Sequence, residues 1–215
     1  MRGSSKGSAR PYPTPVFGGR NLGRVDAPAS KRSSPVVDGW ALTARISPRD
    51  DVRIAAVDSA GQVQNLYPHV AQVSGPAPVV PWAVHLTDGH RQFHLIAFDL
   101  DLSQGDGNVL RDCRRLTRWL DELAIEYTIA QSGPSGGRHV WLSLLEPIAA
   151  HEVAQLADAV ALALPTLDVS SLKNPATGAV RPPGAPHRRG GHSVVLAGPP
   201  QLLRPAVTAE QIGRL

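Results

Sequence analysis

The segment HLIAFDLDL at 94–102 most constrains the fold, because it is an apolar run of strand length that carries two aspartates. Side chains alternate along a strand, so Asp99 and Asp101 share a face, with Cα atoms about 6.5 to 7 Å apart. Two carboxylates on one face of an apolar strand repel each other and lose hydration. They call for a compensating cation, or else for a strand end open to solvent or to an arginine. Oxygen donors of this kind suit Mg²⁺ or Mn²⁺, and the D-x-D pattern alone leaves the two alternatives even.

Two later segments add chemistry to that pair. In SGPSGGRHVWL, a small-residue loop from Ser132 to Gly137 runs directly into an apolar strand with His139 near its start. Glycines there, with Ser135 between them, let backbone N–H groups turn toward an anion, and Arg138 and His139 add donors. A plain Gly-rich turn between two strands has the same appearance. Farther on, LDVSSLKNPATGAVRPPGAPHRRGG supplies Asp168 after an apolar run, then Lys173, Arg181, His187, Arg188 and Arg189 among prolines. Prolines stiffen such a loop and lower the entropy cost of holding its cations in place. A solvated basic surface loop is the alternative.

The rest of the chain reads as an α+β domain. VRIAAVD (52–58) and PVVPWAVHLT (78–87) have strand character, and Asp88-Gly89 is a hairpin signal before the acidic strand. Residues 108–123 form an amphipathic helix, with Leu110, Leu116, Leu120 and Leu123 on one side and Arg111, Arg114, Arg115 and Arg118 largely elsewhere. Trp119 at this spacing reads as core. Strands follow at 126–132 and 138–144, then a helix at 150–164 facing Val153, Leu156, Ala157 and Val160 inward, and a late strand at 192–198. From the acidic strand onward the order is βαββαβ, the split β-α-β pattern of a ferredoxin-like or RRM-like sheet. We therefore expect an RRM-like core with an additional N-terminal α/β portion, and an exposed sheet face where the acids and His139 converge.

Composition sets the outer limits. The 215 residues are 42% hydrophobic with a formal net charge of +4, and a pI near 9.7 and mean hydropathy of −0.13 fit a globular protein with an acidic partner such as nucleic acid. Cys113 is the only cysteine, which excludes an internal disulfide and a cysteine-ligated zinc site within one chain; on its helix it reads as a small core residue. No apolar run is long enough to span a bilayer, and the basic N-terminus lacks the apolar core of a secretory signal, so a cytoplasmic location and no membrane partner are expected. Residues 1–35, rich in Gly, Ser, Pro and basic residues, read as a flexible basic arm or an expression-vector remnant, and 36–215 as the folded domain.

The three segments in this order resemble the catalytic motifs of the archaeo-eukaryotic primase superfamily, the primase-polymerases. That family has an acidic D-x-D or D-x-E motif on a strand, a small-residue motif ending in His, and a single Asp after an apolar run. FDLD, GGRH with His139, and LDVSS with Asp168 match these in order. SGPSGGRHVW is similar to the polymerase domain of bacterial end-joining ligases, and NPATGAVRPPGAPHR to replication proteins of actinobacterial plasmids and phages. The resemblance covers residues 80–200; Gly137 departs from it, standing where the family often has Ser, which preserves a backbone contact and not a hydroxyl one.

What the resemblance implies is template-dependent nucleotidyl transfer by a primase or DNA polymerase of a replication protein. Asp99, Asp101 and Asp168 would hold two Mg²⁺ or Mn²⁺ ions, and Ser135, Gly137, Arg138, His139, Lys173, Arg181, His187 and Arg188 would bind the nucleotide. The expected partners are nucleoside triphosphates and a single-stranded DNA template, with a helicase region possible in a longer parent chain. Two alternatives stand beside it. A haloacid-dehalogenase-like phosphatase also has D-x-D after an apolar strand, but its second Asp is followed two residues on by Thr or Val, where this chain has Ser103. A non-catalytic single-strand or origin-binding module would use an RRM-like face, yet aromatics are only 5% of the chain and the paired base-stacking aromatics are missing.

Overall fold

Alternation and register, more than helix packing, decide where the chemistry of this chain sits. A computed structural model describes residues 37–101, 108–199 and 201–215. The arm at 1–35 and Ser103 lie outside the described residues.

Helix α1 (Gly39–Ile46) opens the described chain, capped by Asp38, whose carboxylate accepts the N–H groups of Trp40 and Ala41 at 3.1 and 3.0 Å. Three strands follow: β1 (Asp51–Ile54), β2 (His69–Gln72) and β3 (Trp82–His85). They join the much later β8 (Ala179–Val180) in an antiparallel sheet of order β2-β1-β3-β8. The chain reverses at Asp88–Gln92, where Asp88 Oδ1 accepts the N–H groups of His90 and Gln92, both at 2.9 Å. The left-handed residue of that turn is Arg91 at φ 62°, two positions beyond Gly89.

The acidic strand is β4 (Phe93–Leu100), followed by α2 (Val109–Glu122), β5 (Thr128–Gln131), β6 (Arg138–Ile148), α3 (Ala150–Ala161), β7 (Leu167–Asp168), β9 (Val194–Ala197) and α4 (Ala209–Arg214). Five of these strands form a second antiparallel sheet, of order β7-β4-β6-β5-β9. In β4, Phe93, Leu95, Ile96, Ala97, Phe98 and Leu100 are all at most 1% exposed, which explains the near-continuous apolar run. Helix α2 touches β4 and β6, and α3 touches β7. The chain is thus mixed α+β with two antiparallel sheets.

Two expectations need correction. The strand beside the acidic strand that follows the second helix is Leu167–Asp168, not the late segment near 192–198. That late segment, β9, instead extends the far edge next to β5, with Val194 and Leu196 43% and 48% exposed. Beta propensity favours HSVVLAG over the short LD step, but a ladder needs only the right neighbour, and periodicity does not name it. The second correction is Leu110, which is 50% exposed. Helix α2 buries Val109, Asp112, Cys113, Leu116 and Leu120, a stripe that includes an acid the hydrophobic pattern rejected. Helix α3 buries Val153, Leu156, Ala157 and Val160, the face its spacing predicts. Trp119 is half-buried, with the Arg115 guanidinium 5.3 Å from its ring centre. Among the described residues no helix is long and apolar enough to cross a membrane.

Candidate active site

Antiparallel register sets the first three groups in a row. Asp99 lies directly opposite His139 of β6 on one side and Asp168 of β7 on the other. Directly opposed residues project from the same face with Cβ atoms about 4.5 to 5.5 Å apart, so one pleat row carries an imidazole and two carboxylates. Asp101, two residues beyond Asp99, continues that face past the strand end, where its N–H donates to Thr166 O at 2.9 Å.

The basic side comes from the other sheet. Strand β8 pairs with β3 and delivers Arg181 at its end. The Arg181 carbonyl accepts from His139 Nδ1 at 3.1 Å, and the Arg181 guanidinium donates to the carbonyl of Ser132. His139, 3% exposed, is gripped from both sides, since its Nε2 lies 3.3 Å from Asp99 Oδ1. His187 follows in a tight turn whose ends pair Pro186 with His192. Its ring lies against Gly133: a Cβ there would come within 2.4 Å of His187 Cδ2, so any side chain at 133 would displace the ring.

These elements enclose a cavity of about 490 Å³, lined by Asp99, Asp101, Asp168, Ser135, His139, Arg181, His187 and Arg188. Three of the expected nucleotide-binding residues are not among its lining. Lys173 lies 2.7 Å from Asp158 of α3 in an ion pair. Arg138 turns its Nη1 onto the carbonyls of Gly136 and Gly137 at 2.6 and 3.1 Å, bracing the loop from within. Gly137 stands where a Cβ would lie 2.7 Å from Ser132 Oγ, so a side chain at 137 would displace the serine hydroxyl. Ser132 itself lines the cavity. Asn65, Tyr67, Ser170, Ser171 and Arg189 also line it. Sequence reasoning missed Asn65 and Tyr67 because they come from the loop between β1 and β2, with no motif and no spacing to tie them to the acids.

The electrostatics follow from this packing. Burial alone would raise the Asp99 carboxyl, but the charge and hydrogen bond of His139 and the charge of Arg181 outweigh it and hold it below the usual range. His187 is held down at about 4 by burial and by Arg181, Arg188, Arg189 and His139, so it is neutral near pH 7. Its Nδ1 accepts the Arg189 N–H at 3.1 Å, which leaves Nε2 to carry the proton. Ser171 Oγ and Arg181 Nε, both buried on cavity residues, have no hydrogen-bond partner among the described residues.

Three carboxylates on one wall are the donor set a hard divalent ion takes. They are not gathered into a ligand cluster: among the described residues, no three His, Cys, Asp or Glu side chains form a group that could hold an ion as they stand. Asp99 is engaged by His139, and Asp168 Oδ1 accepts the Ser170 N–H at 2.8 Å. The donor chemistry fits a divalent ion, and these contacts engage one oxygen each of Asp99 and Asp168.

No protein-family model and no curated protein sequence matches the chain. Solved structures do. The primase-polymerase domain of cyanophage S-2L aligns with a TM-score of 0.52 at 14% identity, covering 82% of this chain and 96% of that one. The polymerase domain of Mycobacterium tuberculosis ligase D, solved in complex with DNA, aligns with a TM-score of 0.48 at 16% identity, over 75% of this chain and 79% of that one. With its two antiparallel sheets and this match, the chain shares the fold of the cyanophage primase-polymerase domain.

Proposed function

We propose that the chain is a template-dependent nucleotidyltransferase, a primase or DNA polymerase with an RRM-like catalytic core in residues 36–215. The observation that carries this reading is the pleat row His139–Asp99–Asp168, with Asp101 beside it, facing Arg181, His187 and Arg188 across one cavity. An acidic wall opposite a basic one is what a reaction between a hydroxyl and a nucleoside triphosphate requires. The shared fold supports the reading.

Asp99, Asp101 and Asp168 would hold the divalent ions. Mg²⁺ or Mn²⁺ held by these carboxylates would supply Lewis acidity for in-line attack of a 3′-hydroxyl on the α-phosphorus and positive charge for the leaving pyrophosphate. Arg181 and Arg188 supply charge to the triphosphate, and neutral His187 a hydrogen bond from Nε2. His139 holds Asp99 in place until substrate arrives and then donates to a phosphate oxygen. Gly133 keeps the His187 ring seated at the cavity rim.

The test is incorporation of labelled dNTPs and NTPs with Mn²⁺ on a single-stranded DNA template. Template-directed products that disappear with Asp99→Ala are expected. No product with either nucleotide set, from a protein that binds single-stranded DNA, would replace this reading with the non-catalytic binding module. That second reading draws its support from the ungathered carboxylates and from the groove on α2 lined by Arg111, Arg114, Arg115 and Arg118.

A further inference from the structure

Asp112 is the only buried acid among the described residues, 1% exposed on the inner face of α2. It does not line the cavity. Its Oδ2 accepts both the N–H and the hydroxyl of Thr166, at 3.1 and 2.9 Å, and its Oδ1 accepts Arg111 Nε at 3.1 Å. Thr166 is 0% exposed, and its carbonyl accepts the Asp101 N–H at 2.9 Å. One residue thus joins three acids: Asp112 holds the Thr166 N–H and hydroxyl, the Thr166 carbonyl holds the backbone of Asp101, and Asp168 follows Thr166 by two residues.

This linkage matters because β7 is so short. Only Asp99↔Asp168 and Leu100↔Leu167 pair, so the ladder by itself gives Asp168 two registered positions and no more. On the other strand, Asp101 lies one residue past the end of β4. Both carboxylates sit where regular pairing stops, and the buried clamp on Thr166 spans that gap. Stability alone explains such a group poorly: burying a carboxylate costs several kcal/mol, about what its bonds return, and an apolar residue of similar volume commonly does as well. Positional definition is what the charged group adds, because it fixes the direction of two Thr166 donors at once.

We propose that Asp112 is a positioning residue which, through Thr166, sets the placement of Asp101 relative to Asp168 and thereby the affinity of the acidic wall for divalent ions. The inference rests on the nucleotidyl-transfer reading. Outer partners of this kind typically change metal affinity or activity by roughly 10- to 100-fold when removed.

The test uses the full chain and three variants: Asp112→Asn, Thr166→Val and Thr166→Ser. Mn²⁺ binding is followed by the electron paramagnetic resonance of the free ion, with neither nucleotide, which binds Mn²⁺ itself, nor template present. The Mn²⁺ dependence of incorporation, the nucleotide KM at saturating Mn²⁺ and the thermal midpoint are measured alongside. Asp112→Asn should weaken Mn²⁺ binding by about 10-fold or more, Thr166→Val by a smaller factor, and Thr166→Ser hardly at all, with the nucleotide KM at saturating Mn²⁺ nearly unchanged. If Asp112→Asn does not fold, Thr166→Val carries the test, since it keeps the backbone bonds on both sides. Wild-type Mn²⁺ affinity in folded Asp112→Asn and Thr166→Val overturns the proposal. So does a deficit that vanishes on cooling well below the thermal midpoint, which would mark a purely structural role. A wild type that binds no Mn²⁺ removes the nucleotidyl-transfer reading as well, whereas unchanged variants beside a Mn²⁺-binding wild type remove this inference alone.

Discussion

The two walls of the cavity are built by different means. The acidic wall is sheet: Asp99 and Asp168 occupy opposed ladder positions, and Asp101 is tied by its backbone to the buried Thr166. The basic wall is loop, running from the end of β8 through Pro182, Pro183 and Gly184 to the turn at 186–192, and its side chains are held by a few specific contacts. Arg181 reaches the Ser132 carbonyl, and the His187 ring rests on Gly133. Ladder geometry places a carboxylate closely, as chemistry at a metal demands. A loop places its cations through individual contacts rather than through a register, a looser constraint that the proposed recognition of a flexible triphosphate would tolerate.

If that contrast is right, damage to the acidic wall is catastrophic and damage to the basic wall is graded. Asp99→Ala, Asp101→Ala or Asp168→Ala should each abolish incorporation while circular dichroism stays close to wild type; Asp99→Ala should also lower the thermal midpoint, because it leaves the buried His139 without its carboxylate partner. Substantial residual incorporation by any of the three would place the reacting centre elsewhere.

Arg181→Ala comes next. It removes a charge from the cavity lining and the donor to Ser132, so under the proposed reading nucleotide affinity should fall about 10-fold or more, in line with a charge-assisted bond of roughly 1.5 to 3 kcal/mol. Binding of single-stranded DNA, read by fluorescence anisotropy, should hold. Equal losses in both assays would make Arg181 part of a template groove and blur the division between the walls.

A smaller effect is expected from Gly133→Ala. The added methyl would collide with the His187 ring at 2.4 Å and push it out of its seat. We expect a few-fold rise in nucleotide KM with little change in kcat, and His187→Ala should give a similar result without additive loss in the double variant. Full additivity would show that the two residues do not act through the one contact.

The smallest effect is on stability against pH. His85 and His187 are each held down at about 4 in the folded chain, against 6.5 for the free side chain. For His85 the causes are burial and then Arg49, with Asp51 opposing. Between those pH values the unfolded chain takes up protons that the folded one refuses, so stability is full above about 6.5 and declines as pH falls toward about 4. Urea midpoints at pH 7 and pH 5 should differ, and His187→Gln should narrow the difference slightly. His85 is 2% exposed in the other sheet, so its replacement should narrow it more. An unchanged pH 5 deficit in His187→Gln would mean that the basic wall is too mobile to exclude protons from its imidazole.

Much of the acidic wall is legible in the residues themselves. HLIAFDLDL reads as a strand because its apolar length exceeds what a solvated segment tolerates, and a period of two then puts Asp99 and Asp101 on one face. Asp112 is illegible for the opposite reason. An acid inside a helical stripe looks like a solvated residue, and only its partner Thr166, distant in sequence, shows why it is buried. Leu110 misleads in the same way, since at the first turn of α2 it is Val109 that faces the core.

The basic wall divides similarly. Pro-rich RPPGAPHRR announces a loop that carries charge, but Lys173 and Arg138 have the same residue chemistry as Arg181 and are spent elsewhere, on Asp158 and on the carbonyls of Gly136 and Gly137. Which cation faces the cavity depends on where β8 ends, and β8 is a two-residue strand paired with β3 from the other sheet. What the sequence determined by itself was local: the buried strand with its two acids, the inward face of α3, the tight glycine loop before His139, and the resemblance those motifs carry in order. Tertiary structure alone decided that β7 and not β9 lies beside β4, and that Asn65 and Tyr67 reach the cavity. Periodicity is a property of neighbours along the chain, whereas strand order and the fate of a lone charge depend on partners brought together only when the sheets close.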